Sequence, residues 1–293
     1  MKRNYDFLGH YTYCVPGIGG MFGFLGWLLV GSLLGSVVIV PFRLLLDQQA
    51  AIEYGMLVSY PLQFIPAMMY ASARSRNNCI NTEGVRLDNN HFGKTGGFVC
   101  ALLVALATLA AGFVIDPLTT VLPQMPEVLK QTLESMTQGT LWVNLLCVGV
   151  FAPIFEEWLC RGMVLRGLLG RDYNPVCAIV ISAAFFALIH GNPWQAVPAF
   201  LIGCLMGYIY FKTGSLKLTM LMHCVNNSFA VILSHFDKFA EMETWLDVMP
   251  QKYYWMTFAA CAMLLVLILR VFAAIPLESP RGNSDRVPSL FEQ

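Results

Sequence analysis

The sequence predicts an all-α fold, a polytopic bundle of about eight transmembrane helices with both termini in the cytoplasm. Its composition is the first reason, because 57% of the 293 residues are hydrophobic and only 12% are charged. Soluble domains carry about 25% charged residues, so most of this surface cannot face water. The second reason is the length of the apolar stretches, and the third is the uneven placement of lysine and arginine.

Eight apolar stretches are read as spans, since a helix needs roughly 20 residues to cross the bilayer core. They lie near residues 18–42, 52–73, 96–115, 140–165, 175–191, 194–211, 215–234 and 253–274. Lys2 and Arg3 precede the first stretch, as they would in a signal peptide, but no small-residue cleavage pattern follows. We therefore expect the first span to be retained.

The basic residues test this arrangement independently of hydropathy. With an even number of spans and both ends inside, 14 of the 18 lysine and arginine residues fall on the cytoplasmic side. The remaining four, Arg43, Lys130, Lys238 and Lys252, fall outside. Such an excess of positive charge in cytoplasmic loops is typical of a correct topology. We expect a multi-pass protein of the plasma (inner) membrane.

Charge and cysteine content favour no other class of protein. The 18 basic and 18 acidic residues cancel, so nothing predicts a nucleic-acid partner. The nine cysteines have no CxxC spacing and most lie in apolar stretches, which indicates small apolar side chains rather than a disulfide framework or a zinc knuckle. The partner that the composition predicts is the lipid bilayer.

The chain divides into four predicted parts. Residues 1–139 hold spans one to three, 140–235 hold the core spans four to seven, and 236–275 hold the last loop and the eighth span. Residues 276–293, with three prolines and several charges, are typical of a disordered cytoplasmic tail. Within the first span, two small-xxx-small pairs predict close helix packing: Gly19 with Gly23, and Gly31 with Gly35.

The fourth predicted span carries charges that are costly at membrane depth and therefore point to a function or a specific partner. Glu157 and Arg161 share a helix face at i and i+4 in the favourable order. Glu156 points about 100° away and meets only Cys160 at i+4, so it needs a partner from another helix. Pro153 is expected to interrupt the helical hydrogen bonds one turn earlier. The alternative is that the helix ends at the cytoplasmic surface and both acids are solvated.

Two other spans carry polar side chains that are candidates for the same site as Glu156 and Glu157. His190 follows the apolar run of the fifth span, and His223 shares a face of the seventh span with Asn227. A lone histidine after an apolar helix is commonly structural, and histidine with asparagine commonly joins membrane helices by hydrogen bonds. If the three spans bring these side chains together, they suit water activation and stabilisation of an oxyanion. Histidine and carboxylate also suit zinc, although no HExxH occurs.

Three motifs in this order resemble those of the CAAX protease and bacteriocin-processing (CPBP, or Abi) family of intramembrane endopeptidases. They are Glu-Glu-x-x-x-Arg at 156–161, Phe-x-x-x-His at 186–190 and His-x-x-x-Asn at 223–227. This family includes the eukaryotic enzyme that removes the last three residues of prenylated CAAX proteins. The resemblance covers about residues 145–230, and it implies an endopeptidase that acts on a peptide or a lipidated protein in the membrane.

The resemblance implies a role for each matched residue. Glu156 is the base that activates water, and His190 helps to hold that water. His223 and Asn227 face the scissile carbonyl and stabilise the oxyanion. The family resemblance leaves the mechanism open between a glutamate-activated water, which needs no cofactor and which we favour, and a zinc ion held by Glu156, His190 and His223.

The pair Glu157 and Arg161 supports the site, in agreement with their shared helix face. The alternatives are a non-catalytic scaffold or bacteriocin-immunity factor of the same family, and a proton-coupled transporter in which the same acids and histidines form a relay.

The predicted depths of the two histidines in the membrane disagree. At 1.5 Å per residue, His190 lies about 24 Å from the start of the fifth span, whereas His223 lies only about 12 Å from the start of the seventh. The two depths agree only if the fifth span starts further into the cytoplasm or tilts.

Overall fold

The computed structural model describes residues 11–78, 86–131, 139–240, 242 and 244–277. These residues form eight long helices and no β-strand. The helices are α1 (Ile18–Leu45), α2 (Gln48–Asn78), α3 (Gly97–Thr119), α4 (Leu141–Leu169), α5 (Pro175–Ile189), α6 (Pro193–Thr213), α7 (Leu216–Ser234) and α8 (Gln251–Ala273). Short helical turns occupy 127–131, Asp237–Ala240 and Trp245–Asp247. The predicted tail falls almost entirely outside the described residues.

The predicted all-helical bundle is confirmed, and each predicted span corresponds to one of the eight helices. Six of them, α1, α3, α4, α6, α7 and α8, are long and apolar enough to cross a membrane. Helix α2 has 31 residues but fails on composition, and α5 has only 15 residues. The number of spans and the side of the two termini therefore stay predictions.

Helices α1 and α2 form an antiparallel pair whose backbones approach closely. A Cβ atom at Gly31 would lie 1.8 Å from the Gln63 carbonyl oxygen, and one at Gly35 would lie 3.1 Å from the Ser59 carbonyl oxygen. The predicted packing role of this glycine pair is confirmed. Of the other pair, only Gly23 faces a neighbour, since nothing lies within 4 Å of a Cβ at Gly19.

Helix α4 lies at the centre of the bundle. In its apolar stretch 56% of the residues are buried inside the protein, against 11% for α8 and 17% for α1. It contacts α2, α5, α6 and α7, while α3 packs on α7 and α8. The first predicted motif therefore lies on the helix with the largest buried share among the six long apolar helices.

Two stretches of α4, Cys147–Phe151 and Trp158–Leu165, are wound as π-helix. In the first, the Cys147 carbonyl accepts from the amide of Ala152, five residues on. The next carbonyl, that of Val148, would need an amide hydrogen from Pro153, which has none. The side-chain amide of Asn227 on α7 donates to this carbonyl instead, at 2.9 Å. The interruption expected from Pro153 therefore creates a docking point for α7.

Helices α5 and α6 form a hairpin whose turn carries His190. At 1.5 Å per residue α5 is about 22 Å long, shorter than the roughly 30 Å bilayer core. Gly191 adopts a positive φ of 70°, which a glycine accepts without strain. Asn192 then caps α6 by accepting from the backbone amide of Gln195 at 2.9 Å. His190 is thus the first residue after α5, in the turn and not inside a helix.

Candidate active site

The carboxylate of Glu156 lies next to side chains from two other helices, α2 and α7. The hydroxyl of Tyr60, on α2, donates a short hydrogen bond to Oε1 of Glu156. On the other side, Nε2 of His223 lies 3.9 Å from Oε2 of Glu156. That oxygen is buried and accepts no hydrogen bond from the described residues. The side chain of Glu156 nevertheless remains 12% exposed, so it is the accessible member of the acid pair.

Glu157 is completely buried and is neutralised within its own helix. Nη1 of Arg161 lies 2.6 Å from Oε1 of Glu157, which confirms the predicted i, i+4 pair. Nη2 of Arg161 donates to the Gly203 carbonyl on α6 at 2.9 Å. Nδ1 of His223 lies 3.2 Å from the same Oε1 of Glu157. The imidazole of His223 therefore stands between the two acids and directs one nitrogen towards each.

The aromatic ring of Phe186 is the point where the three motifs meet. The rings of His190 and His223 contact it edge to face, with centroid distances of 4.9 and 5.3 Å. The guanidinium carbon of Arg161 lies 4.7 Å from the same ring centroid, a cation–π distance. A Cβ at Gly203 would lie 3.2 Å from this ring, so a glycine there leaves room for it.

The two histidines share one neighbour, the ring of Phe186. His190 and His223 both contact the ring of Phe186, so the fold brings them together although they lie at different distances along their helices. Nδ1 of His190 lies 2.8 Å from the carbonyl oxygen of Phe186, its i−4 neighbour. A carbonyl can only accept, so Nδ1 carries the proton, and neutral His190 presents an unprotonated Nε2.

The same reasoning fixes the neutral form of His223. Its Nδ1 faces the acceptor Oε1 of Glu157, so Nδ1 carries the proton and Nε2 offers a lone pair towards Glu156. Oε2 is almost completely covered by protein, so a water reaches it only when these side chains move apart. Such a water would donate one hydrogen to Oε2 of Glu156 and one to Nε2 of His223. The lone pairs of that water would then be free to attack a carbonyl.

The contacts of Asn227 use only part of the hydrogen-bonding capacity of its side chain. Its amide nitrogen donates to the Val148 carbonyl, and its amide oxygen lies 3.1 Å from the amide nitrogen of Asn226. An amide nitrogen has two hydrogens, so one remains for another acceptor. Asn227 lies one turn from His223 on the same face of α7, which is compatible with a role as an oxyanion donor.

The structure brings the three motifs together, but it pairs their residues differently from the prediction. The predicted partner of Glu156 in holding water is His190, whereas the histidine next to Glu156 is His223. No sequence pattern predicts the contact with Tyr60, because nothing distinguishes this residue among the eleven tyrosines. The only signal is indirect: Glu156 needed a partner from another helix.

The residues proposed for zinc are not arranged as a metal site. No three histidine, cysteine, aspartate or glutamate side chains of the described residues are grouped so that they could hold one ion.

Comparison with known proteins gives one family. The family model described as type II CAAX prenyl endopeptidase Rce1-like matches residues 138–229. The match confirms the resemblance and spans all three motifs, whereas α1, α2 and α3 lie outside it. No curated protein and no solved structure matches the chain.

Proposed function

We propose, from the Rce1-like domain at residues 138–229, that this chain is an intramembrane endopeptidase that hydrolyses a peptide bond of a membrane-associated substrate. One observation carries the proposal: a buried carboxylate oxygen of Glu156 faces Nε2 of His223 across 3.9 Å and accepts no hydrogen bond from the described residues. A glutamate held in this way is suited to act as a general base on a water.

The proposed reaction begins with that water. Glu156 removes a proton from it while the water oxygen forms a bond to the scissile carbonyl carbon, and His223 orients the water through its Nε2. The tetrahedral intermediate then collapses, the carbon–nitrogen bond breaks, and Glu156 returns the proton to the leaving amine. We assign water orientation to His223 in place of His190 because His223 is the histidine beside Glu156.

The oxyanion of the intermediate needs donors, and two residues are available. Asn227 can donate the second hydrogen of its amide, and His190 can donate from Nε2 when it is protonated. His223 can join them only as an imidazolium, since its Nδ1 proton is directed to Glu157. Arg161 and Glu157 hold His223 and Phe186 in place and do not meet the substrate in this scheme.

The substrate class follows from where the site lies. The site lies on α4, α5 and α7, of which α4 and α7 are long and apolar enough to span a membrane, so a lipid-anchored or membrane-inserted peptide is the substrate class that we propose. We propose a CAAX-processing-like reaction in the plasma membrane. Whether the substrate must carry a prenyl group is part of the test below.

The test is cleavage by the purified full chain in lipid vesicles. The panel consists of a farnesylated CAAX peptide, the same peptide without farnesyl, and a peptide fused to a transmembrane helix, with products identified by mass spectrometry. We expect cleavage of a membrane-associated peptide and little of the soluble one. If no peptide in the panel is cleaved, or if the soluble peptide is cleaved as fast, the proposed function is wrong.

A further inference from the structure

We propose that Tyr60, on α2 and outside the family-matched segment, is a positioning residue that selects which oxygen of Glu156 activates water. The proposal rests on the proposed function and deepens it. On this proposal α2 contributes a residue to the site, although none of the three motifs lies on that helix.

The two oxygens of Glu156 have different surroundings. Oε1 accepts the Tyr60 hydroxyl, while Oε2 faces His223 and accepts no hydrogen bond from the described residues. A carboxylate can rotate about its last side-chain bond, and that torsion has a broad minimum. The hydroxyl of Tyr60 fixes the rotation, because turning the carboxylate would break this bond. Oε2 is thereby held towards Nε2 of His223.

Tyr60 is itself held by aromatic packing. Its ring lies 5.8 Å from that of Phe64, one turn along α2, and Phe64 stacks on Phe155 at 5.2 Å with the rings nearly parallel. Phe155 is the residue before Glu156, so the stack and the hydrogen bond join the same two helices at one level. The hydroxyl of Tyr60 is therefore held in place by a packed helix and not by a loop.

A second polar contact sets the register of α2 on α4. Glu53, two turns before Tyr60 on the same helix, accepts from the backbone amide of Thr140 at 2.9 Å, at the start of α4. Residues seven apart lie on nearly the same helix face, so Glu53 and Tyr60 both point at α4. A shift of α2 along α4 would break both contacts together.

The first test is Tyr60→Phe, which removes only the hydroxyl, in the vesicle cleavage assay. We expect kcat to fall about 10- to 100-fold, which is less than the roughly 10²- to 10⁴-fold that a positioned base contributes, and KM to stay unchanged. Tyr54→Phe is the matched control, because Tyr54 lies on α2, packs near Trp142 of α4, and its hydroxyl bonds no residue in the part of the chain described. Wild-type kcat in Tyr60→Phe would overturn the proposal and leave the proposed function standing.

An infrared measurement tests the contact without any substrate. The side-chain carboxyl band of Glu156 is identified as the band that Glu156→Gln removes from the spectrum of the full chain. We expect this band to shift in Tyr60→Phe and to stay in place in Tyr54→Phe. An unshifted band in Tyr60→Phe means that the hydroxyl does not bind Glu156, and the positioning role is then wrong. A wild-type chain that cleaves nothing refutes the proposed function instead.

Discussion

At the scale of single residues, the charged side chain with the most contacts in the site is Arg161. It is fully buried, pairs with Glu157, donates to the Gly203 carbonyl and stacks on Phe186. A buried ion pair adds little net stability, but removing one partner leaves the other charge unpaired. Arg161 therefore matters more through what its loss would expose than through the strength of any one bond.

We predict that Arg161→Ala lowers the free energy of unfolding by about 3–5 kcal/mol, because Glu157 is then buried without a counter-charge. Denaturant unfolding of the protein in mixed micelles measures it. The control is Arg171→Ala, whose side chain is exposed and donates to the Val15 carbonyl, and which we expect to change little. If Arg161→Ala is as stable as the control, the buried charge pair has no structural importance.

The sequence predicts the partner of Glu157 but not the partners of Glu156. The i, i+4 spacing is a local property of one helix, so the pair of Glu157 with Arg161 can be read directly. The neighbours of Glu156, Tyr60 and His223, come from helices separated by many residues along the chain. Their pairing depends on how α2 and α7 pack against α4, which no local pattern encodes.

At the scale of elements, the link between α4 and α7 depends on a missing amide hydrogen. Pro153 leaves the Val148 carbonyl without a backbone donor, and Asn227 supplies one. We predict that Asn227→Ala costs about 1 kcal/mol of unfolding free energy in the wild-type protein. In Pro153→Ala, where the backbone can supply its own donor, the same change is expected to cost close to nothing.

A double-mutant cycle of unfolding free energies measures this coupling. The four proteins are the wild type, Asn227→Ala, Pro153→Ala and the combination of the two. Equal costs of Asn227→Ala in both backgrounds would show that Asn227 does not replace the hydrogen bond that Pro153 removes.

The helices themselves were predictable because lipid imposes a simple length and hydropathy rule. All eight predicted spans have a helix in nearly the same place. The turn at His190 was not predictable in this way, since the run up to Ile189 is apolar throughout and only Gly191 marks its end. The helix stops there because Gly191 adopts a positive φ and Asn192 starts the next helix.

At the scale of the whole molecule, the excess of positive charge on one side predicts the orientation of the bundle. We predict that an alkaline phosphatase reporter, which is active only outside the cytoplasm, is active when fused after Lys130 or Lys252. Fused after Lys94 or Lys212, it is expected to be inactive. Activity after Lys94 or Lys212 would contradict the eight-span topology with both termini inside. Helices α2 and α5, which are polar or short, are the ones whose crossing this experiment decides.

The central claim is that Glu156 activates the water that cleaves the peptide, and one comparison tests it most directly. The measurement is the cleavage rate of wild type and Glu156→Gln in vesicles, with a peptide that the wild type cuts and with equal amounts of folded protein confirmed by unfolding. We expect Glu156→Gln to lose at least about 100-fold in rate, because the amide cannot take the proton while the shape of the side chain is kept. The control Glu127→Gln removes a carboxylate outside the site and is expected to cleave at the wild-type rate. Wild-type cleavage by folded Glu156→Gln would contradict the account.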